Sequence, residues 1–273
     1  MNDTCLIISG GDFVKYKQDM SFDMIIACDK GLKYADMLGL KPDYFIGDLD
    51  SLDQKSLGIS KKYPDMQTIK LDPEKDDPDT MSAIRFALQH GVSNITVICC
   101  MGGRFDHALG NIQAGAFFAS YGGFVRLIGQ DEYICIFSGP NERGVLHTFV
   151  EYSDGSHKYS GPRSYRIDCA GTDHPQDQKT NADTDKDTYK YAYTDSGEDI
   201  TSVVIPRFNG WSLSVISISD KCTGVDIKGA KYNLTDSELS NRMPLGISNE
   251  WASDEVTVSI KNGILMVVCS RMP

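Results

Sequence analysis

Through the first half of the chain, apolar residues come in short β-rich runs separated by stretches with helical spacing. The runs are Cys5–Ser9, Met24–Cys28, Tyr44–Ile46, Thr68–Leu71, Ile95–Cys100, Val125–Ile128 and Tyr133–Phe137. They lack strict apolar–polar alternation, which is what strands covered on both faces should show. Gly31–Leu38, Thr80–Gln89 and His107–Ser120 carry the helical pattern between them. Strand and helix in turn predict an α/β fold, a doubly wound, mostly parallel sheet over residues 1–138. The middle helix is the best delimited: Asp77 suits an N-cap, Pro78 a first helical position and Gly91 a stop. Met81, Ile84 and Leu88 then share its sheet-facing side, and Asp76, Asp77 and Asp79 stand at its N-terminus. That is the crevice end, where open α/β sheets bind ligands.

Past residue 138 the character changes. Residues 151–200 hold only two branched aliphatic side chains, Ile167 and Ile200, among many Asp, Lys, Thr and Ser and six Tyr. Such a stretch buries too little apolar surface to offset its ordering entropy, so 139–205 is expected to be a polar linker or insertion, mobile in part. Its Asp183–Asp187 run lacks the downstream Gly and Glu of a calcium loop. Beyond it, Ser202–Ile205, Trp211–Ser219, Gly224–Ile227, Glu255–Ile260 and Ile264–Cys269 predict short antiparallel strands, with Asn262 and Gly263 as a hairpin turn. Residues 206–273 should therefore form a small antiparallel β-sandwich domain. Trp211 and Trp251 fit its core or an interface better than a ligand contact.

Composition narrows the partners. A formal charge of −11 argues against a nucleic-acid backbone and leaves metal-neutralised anions open. No apolar run is long enough to span a bilayer, and Met1–Thr4 lacks the basic and apolar features of a leader. Eight cysteines, most inside strand-like runs and none in a C-x-x-C pair, predict buried reduced thiols in a cytoplasmic protein.

The candidate chemistry is acidic. Asp48 and Asp50 flank Leu49 after the third strand, and on an extended strand end both carboxylates point to one side. Ser51 adds an oxygen. A bare D-x-D is also a common solvated turn. Here the cluster from Glu74 to Asp79 lies on a neighbouring crevice loop, so that Asp79 can approach the pair. Such oxygen-rich sites suit Mg²⁺, which keeps positions open for phosphate oxygens. Glycine turns after the first two strands, at Gly10 and Gly11 and at Asp29, Lys30 and Gly31, permit close backbone approach to a phosphate. No P-loop is present. After the fifth strand come Gly102, Gly103, Arg104, Phe105, Asp106 and His107. The Arg104 guanidinium suits a polyphosphate. Asp106 would either ligate metal or orient Arg104, and His107 would either cap the helix or touch the nucleotide.

These motifs, in this order, resemble thiamine pyrophosphokinases. The match takes in Gly47–Ser51, Glu74–Thr80, Gly102–His107, and late in the chain Gly229–Leu234 and Gly246–Glu250. Cys28–Gly31 and Lys41–Asp43 extend it. The resemblance implies a nucleotide-binding α/β domain, a β-sandwich domain, and a homodimer with thiamine bound where subunits meet. It further implies Mg²⁺-dependent transfer of pyrophosphate from ATP to the thiamine hydroxyl, releasing AMP. Asp48, Asp50 and Asp79 would hold the metal and triphosphate, with Arg104 and Lys75 adding positive charge. Gly10, Asp29, Lys30, Ser51, Lys75, Asp76, Asp106 and His107 would contact ATP. Tyr232 would lie against thiamine, in a pocket shared with Ser248 and Asn249. No residue is singled out as a base; Asp79 and Asp76 are nearest. The chain departs from the pattern in having Pro78 where many relatives have Thr, Tyr232 where some have Trp, and a longer polar insertion. Two rivals remain: a phosphohydrolase with an aspartyl nucleophile, whose acid usually follows the first strand, and a non-catalytic thiamine or nucleotide sensor.

Overall fold

The structure, a computed structural model, describes residues 4–16, 21–47, 58–59, 61–70, 78–140, 164–166 and 200–272. Its first half runs β1 (Thr4–Ile8), β2 (Met24–Cys28), α1 (Gly31–Leu38), β3 (Tyr44–Gly47), β4 (Gln67–Lys70), α2 (Asp79–Gln89), β5 (Asn94–Ile98), α3 (Phe105–Ser120), β6 (Phe124–Ile128) and β7 (Glu132–Ser138). The second comprises β8 (Ser164–Arg166), β9 (Thr201–Pro206), β10 (Trp211–Ser217), β11 (Cys222–Lys228), β12 (Leu234–Leu239), β13 (Glu255–Ile260) and β14 (Ile264–Arg271). Among the described residues, no helix is long and apolar enough to cross a membrane.

Two sheets result. The larger has nine strands in the order β10-β14-β7-β6-β5-β1-β2-β3-β4, and the smaller five, β12-β11-β13-β9-β8. From β6 to β4 every pairing is parallel, and β1, β2, β5 and β6 are buried along most of their length. The runs without alternation thus become strands covered on both faces. β7 turns back antiparallel on β6, and β14 and β10 continue that ladder.

The parity of side chains along β1 separates the two cores. Cys5 and Ile7 join Ala83, Ile84 and Ala87 of α2 and Phe118 of α3. Leu6 and Ile8 face the other way, with Ala35 of α1, in a cluster that includes Val203, Val225 and Val258 of the smaller sheet. The β-sandwich is therefore built by laying the smaller sheet on the antiparallel end of the larger one. Hydrogen bonding runs without a break from the parallel half into the last strands. Trp211 and Trp251 are core residues: both pack around Phe208, with ring centroids 5.5 Å and 5.9 Å away.

Several boundaries differ from expectation for local reasons. β5 stops at Ile98 because Cys99 is left-handed (φ 56°), which turns the chain out of the ladder. In α2 the cap is Pro78, extended at ψ 149°, so Asp79 opens the helix, and the cap expected at Asp77 is displaced by one residue. α3 starts at Phe105, two residues earlier than its apolar pattern suggests, and His107 is inside it rather than its cap. β12 went unrecognised because it is mostly exposed and reads Leu-Thr-Asp-Ser-Glu-Leu, with no apolar face to betray it.

Candidate active site

Strand order places the site. From β1 the chain builds outward through β2, β3 and β4, then crosses by α2 to β5 on the other side of β1. The β1/β5 junction is the topological switch point, where open α/β sheets bind ligands in a crevice at the C-terminal ends of the strands.

The glycine turns line it by close backbone approach. Gly11 donates to Cys99 O at 2.7 Å and Asp12 N to Met101 O at 3.1 Å, joining the loops after β1 and β5. A Cβ on Gly31 would lie 1.9 Å from Ile8 O, so only glycine lets α1 start this near the end of β1. A Cβ on Gly10 would lie 3.6 Å from that of Lys30 and 3.9 Å from that of Asp29. Asp29, left-handed at φ 48°, sets its Oδ1 2.9 Å from where a Cβ on Gly47 would stand. Gly10, Asp29 and Lys30 are thus gathered beside the end of β3. Asp48, Asp50 and Ser51 directly follow that end in sequence. They lie outside the described residues, as do Lys75, Asp76, Asp77 and the Asp183–Asp187 run.

Asp79 is held against the same edge. Cys28 at the end of β2 donates its thiol to Asp79 O at 3.8 Å, and the Ser9 and Thr80 hydroxyls meet at 2.9 Å. On the opposite wall, Arg104 donates Nε and Nη2 to the two oxygens of Asp106 at 3.1 Å and 2.5 Å. The hydrogen bond from Arg104 holds the Asp106 carboxyl below the usual carboxylate range, and the same bond pushes the guanidinium up. The geometry shows Asp106 paired with Arg104. His107 gives its backbone N–H to Asp106 Oδ1. Buried Asn111 donates to Cys100 O at 2.6 Å and ties α3 to the β5 loop.

By their chemistry the carboxylates of Asp12, Asp29 and Asp79 suit a hard cation; among the described residues, no group of three or more His, Cys, Asp or Glu is close enough to hold a metal ion. The neighbouring Cys99 thiol, pushed up to about 11 by burial, stays protonated. Asp12 is a residue that sequence reasoning passed over: its Oδ2 lies where a Cβ on Gly102 would stand. Its signal was present in the Gly10-Gly11-Asp12 turn, but a polar residue after glycines is ordinary turn composition.

Tyr232, Ser248 and Asn249 form a second locus. Asn249, buried to 2% exposure, accepts from Tyr232 N and Glu250 N through Oδ1 and donates to Tyr232 O at 2.8 Å. Its backbone exchanges two bonds with Leu213 of β10. Asn249 therefore holds the 229–233 loop, while the Tyr232 ring stands 63% exposed beside the Lys231 ammonium. Ser248 is exposed and left-handed at φ 58°. Met243, Leu245 and Ile247 add exposed apolar surface on the same loop. Asn249 sits beyond β10, five ladder spacings from β5, or roughly 24 Å along the sheet. Within one chain the described residues of the two loci thus lie at different strands of the larger sheet.

Comparison with known proteins adds the following. Residues 18–120 match the thiamin pyrophosphokinase catalytic domain, and residues 202–265 the thiamin pyrophosphokinase vitamin B1 binding domain. The chain is 28% identical over 170 residues to thiamine pyrophosphokinase of Bacillus subtilis (strain 168), covering 57% of this chain and 77% of that protein. The crystal structure of thiamine pyrophosphokinase from Bacillus subtilis superposes with a TM-score of 0.69 at 21% identity, over 99% of this chain and 100% of the other. That of yeast thiamin pyrophosphokinase gives 0.60 at 14%, over 98% and 86%. At these identities the superpositions show a shared fold.

Proposed function

Because the chain belongs to the thiamin pyrophosphokinase family of thiamine diphosphokinases, we propose that it carries out Mg²⁺-dependent transfer of pyrophosphate from ATP to the thiamine hydroxyl, giving thiamine diphosphate and AMP. Asp48, Asp50 and Asp79 would hold Mg²⁺, which when bound offsets charge on the phosphate oxygens. The observation that carries this reading is the convergence of Asp79, Asp29 and the glycine turns at the switch point, beside the strand end that leads into Asp48.

The protein's own groups have a positioning task. Attack at the β-phosphorus requires the alcohol, the phosphorus and the departing AMP oxygen in line, and most of the acceleration comes from alignment and charge compensation. Backbone N–H groups of the Gly10 and Lys30 turns approach the phosphates, and Arg104, oriented by Asp106, supplies a cation across the crevice. Tyr232 offers an exposed ring to thiamine, held at the right height by Asn249. In this assignment Asn249 acts through Tyr232 rather than on the ligand.

The separation of the loci along the sheet supports a homodimer, in which Tyr232 of one copy reaches the crevice of the other. The exposed Tyr232, Met243, Leu245 and Ile247 would be covered in that contact. The seven described cysteines are all buried thiols, which supports a reducing, cytoplasmic setting.

The test is AMP release from Mg²⁺-ATP with and without thiamine, for the natural chain and for Asp79→Asn. Thiamine-dependent AMP with matching thiamine diphosphate is expected, reduced on the order of 10²-fold or more in the variant. ADP and inorganic phosphate would instead mark a phosphohydrolase, and thiamine binding without turnover a sensor.

A further inference from the structure

The Ser9–Thr80 contact is placed where it can control the carboxylate next to it. Both residues are only 6% exposed, and their hydroxyl oxygens are 2.9 Å apart across 71 positions of sequence. Ser9 follows β1, and its backbone N–H is taken by Ile98 O at 3.0 Å, which fixes it to the switch-point strands. Thr80 is the second residue of α2. That helix starts without a side-chain cap, and its cap residue, Pro78, has no N–H to contribute. The first turn of α2 is instead tied sideways, by Thr80 to the end of β1 and by Asp79 O to Cys28 at the end of β2. Asp79 thus carries one tie and adjoins the other.

We propose that Ser9 and Thr80 are positioning residues that fix the rotation of the first turn of α2, and so the direction of the Asp79 carboxylate toward Mg²⁺. The proposal rests on the assignment of Asp79 to the metal. A helix turns 100° per residue, so a slip at Thr80 swings the neighbouring side chain through a large arc. Mg²⁺ demands near-octahedral geometry at short distance and tolerates such a swing poorly. A hydroxyl pair serving only the core would be indifferent to the metal.

Mn²⁺ replacing Mg²⁺, with a non-hydrolysable ATP analogue, gives a readout separate from turnover: electron paramagnetic resonance counts the free ion. Thr80→Val keeps the shape and removes the hydroxyl. Mn²⁺ affinity should weaken by about tenfold in Thr80→Val and in Ser9→Ala. The double variant should be no worse than the weaker single one, and Thr80→Ser should restore binding. Ser9→Ala, which removes one oxygen, serves if Thr80→Val fails to fold. A lowered unfolding midpoint with Mn²⁺ affinity unchanged would overturn the proposal and leave a structural pin. Asp79→Asn is measured alongside: if its Mn²⁺ affinity is also unchanged, the assignment of Asp79 to the metal is what has failed.

Discussion

The crevice at the parallel end and the Tyr232 loop at the antiparallel end solve opposite problems. The crevice is made by removing side chains: glycines at positions 11 and 31 let one backbone touch another. The loop is made by displaying one, with a buried amide beneath an exposed ring. A polyphosphate needs main-chain N–H groups and fixed charge within hydrogen-bond reach, so shape must come from what is absent. An aromatic cation needs a face to lie on, so shape comes from what is presented. The difference teaches which changes each half should feel: added volume at the crevice, lost hydrogen bonds at the loop.

Gly31→Ala should give the largest effect. Its methyl would stand 1.9 Å from Ile8 O, a backbone atom within the sheet that cannot step aside. We expect a loss of about 3 kcal/mol, read from the urea midpoint at unchanged slope. Gly210→Ala, in the turn before β10, meets no atom within 4 Å and strains only a left-handed φ of 77°. It should lose about 1 kcal/mol. Equal losses would mean that close approach is not what distinguishes the crevice.

Asn249→Ala attacks the other half. It removes three hydrogen bonds tying residues 232 and 250 together, leaving the Tyr232 ring present but its backbone loose. The KM for thiamine should rise by about tenfold while the KM for ATP stays put, since uniform binding of one substrate is what is lost. If both constants move together, the loop and crevice are coupled in a way that the single chain does not reveal.

How far the sequence could be read follows the same division. Buried strands such as Met24–Cys28 announce themselves as compact apolar runs, and the glycine turns mark their ends, so the parallel half was legible almost to the residue. The Asp79 helix was legible too, apart from a cap shifted by one position, because proline suits a cap and a first helical residue alike. What could not be read were contacts between distant residues of ordinary type: Ser9 with Thr80, Asn111 with Cys100 O, and Asp12 over Gly102. A serine after a strand or an asparagine within a helix carries no mark of its partner. Nor does the pattern disclose that β10 and β14 extend the first sheet, since register between strands far apart in sequence is set by packing. The hydrogen bonds by which Asn249 holds the Tyr232 backbone needed its burial and its partners.

The smallest expected effect concerns the Arg104–Asp106 ion pair. Asp106 is exposed to water, and its pKa is lowered chiefly by the hydrogen bond from Arg104. A carboxyl depressed in the folded protein adds its stability above the unfolded pKa and loses it as pH falls through the folded value. The pair should therefore stay intact through neutral pH and open only below the ordinary carboxylate range of about 4. Carbon-13 NMR of the Asp106 carboxyl should give a midpoint below that range, moved back up by Arg104→Gln, with little change in melting temperature because exposed pairs contribute little. The pairing uses Nε and Nη2, two of the N–H-bearing nitrogens, so Arg104 is aimed without being spent. A midpoint that Arg104→Gln leaves in place would mean that the two groups are apart in solution. Arg104 would then approach the crevice as a loose cation.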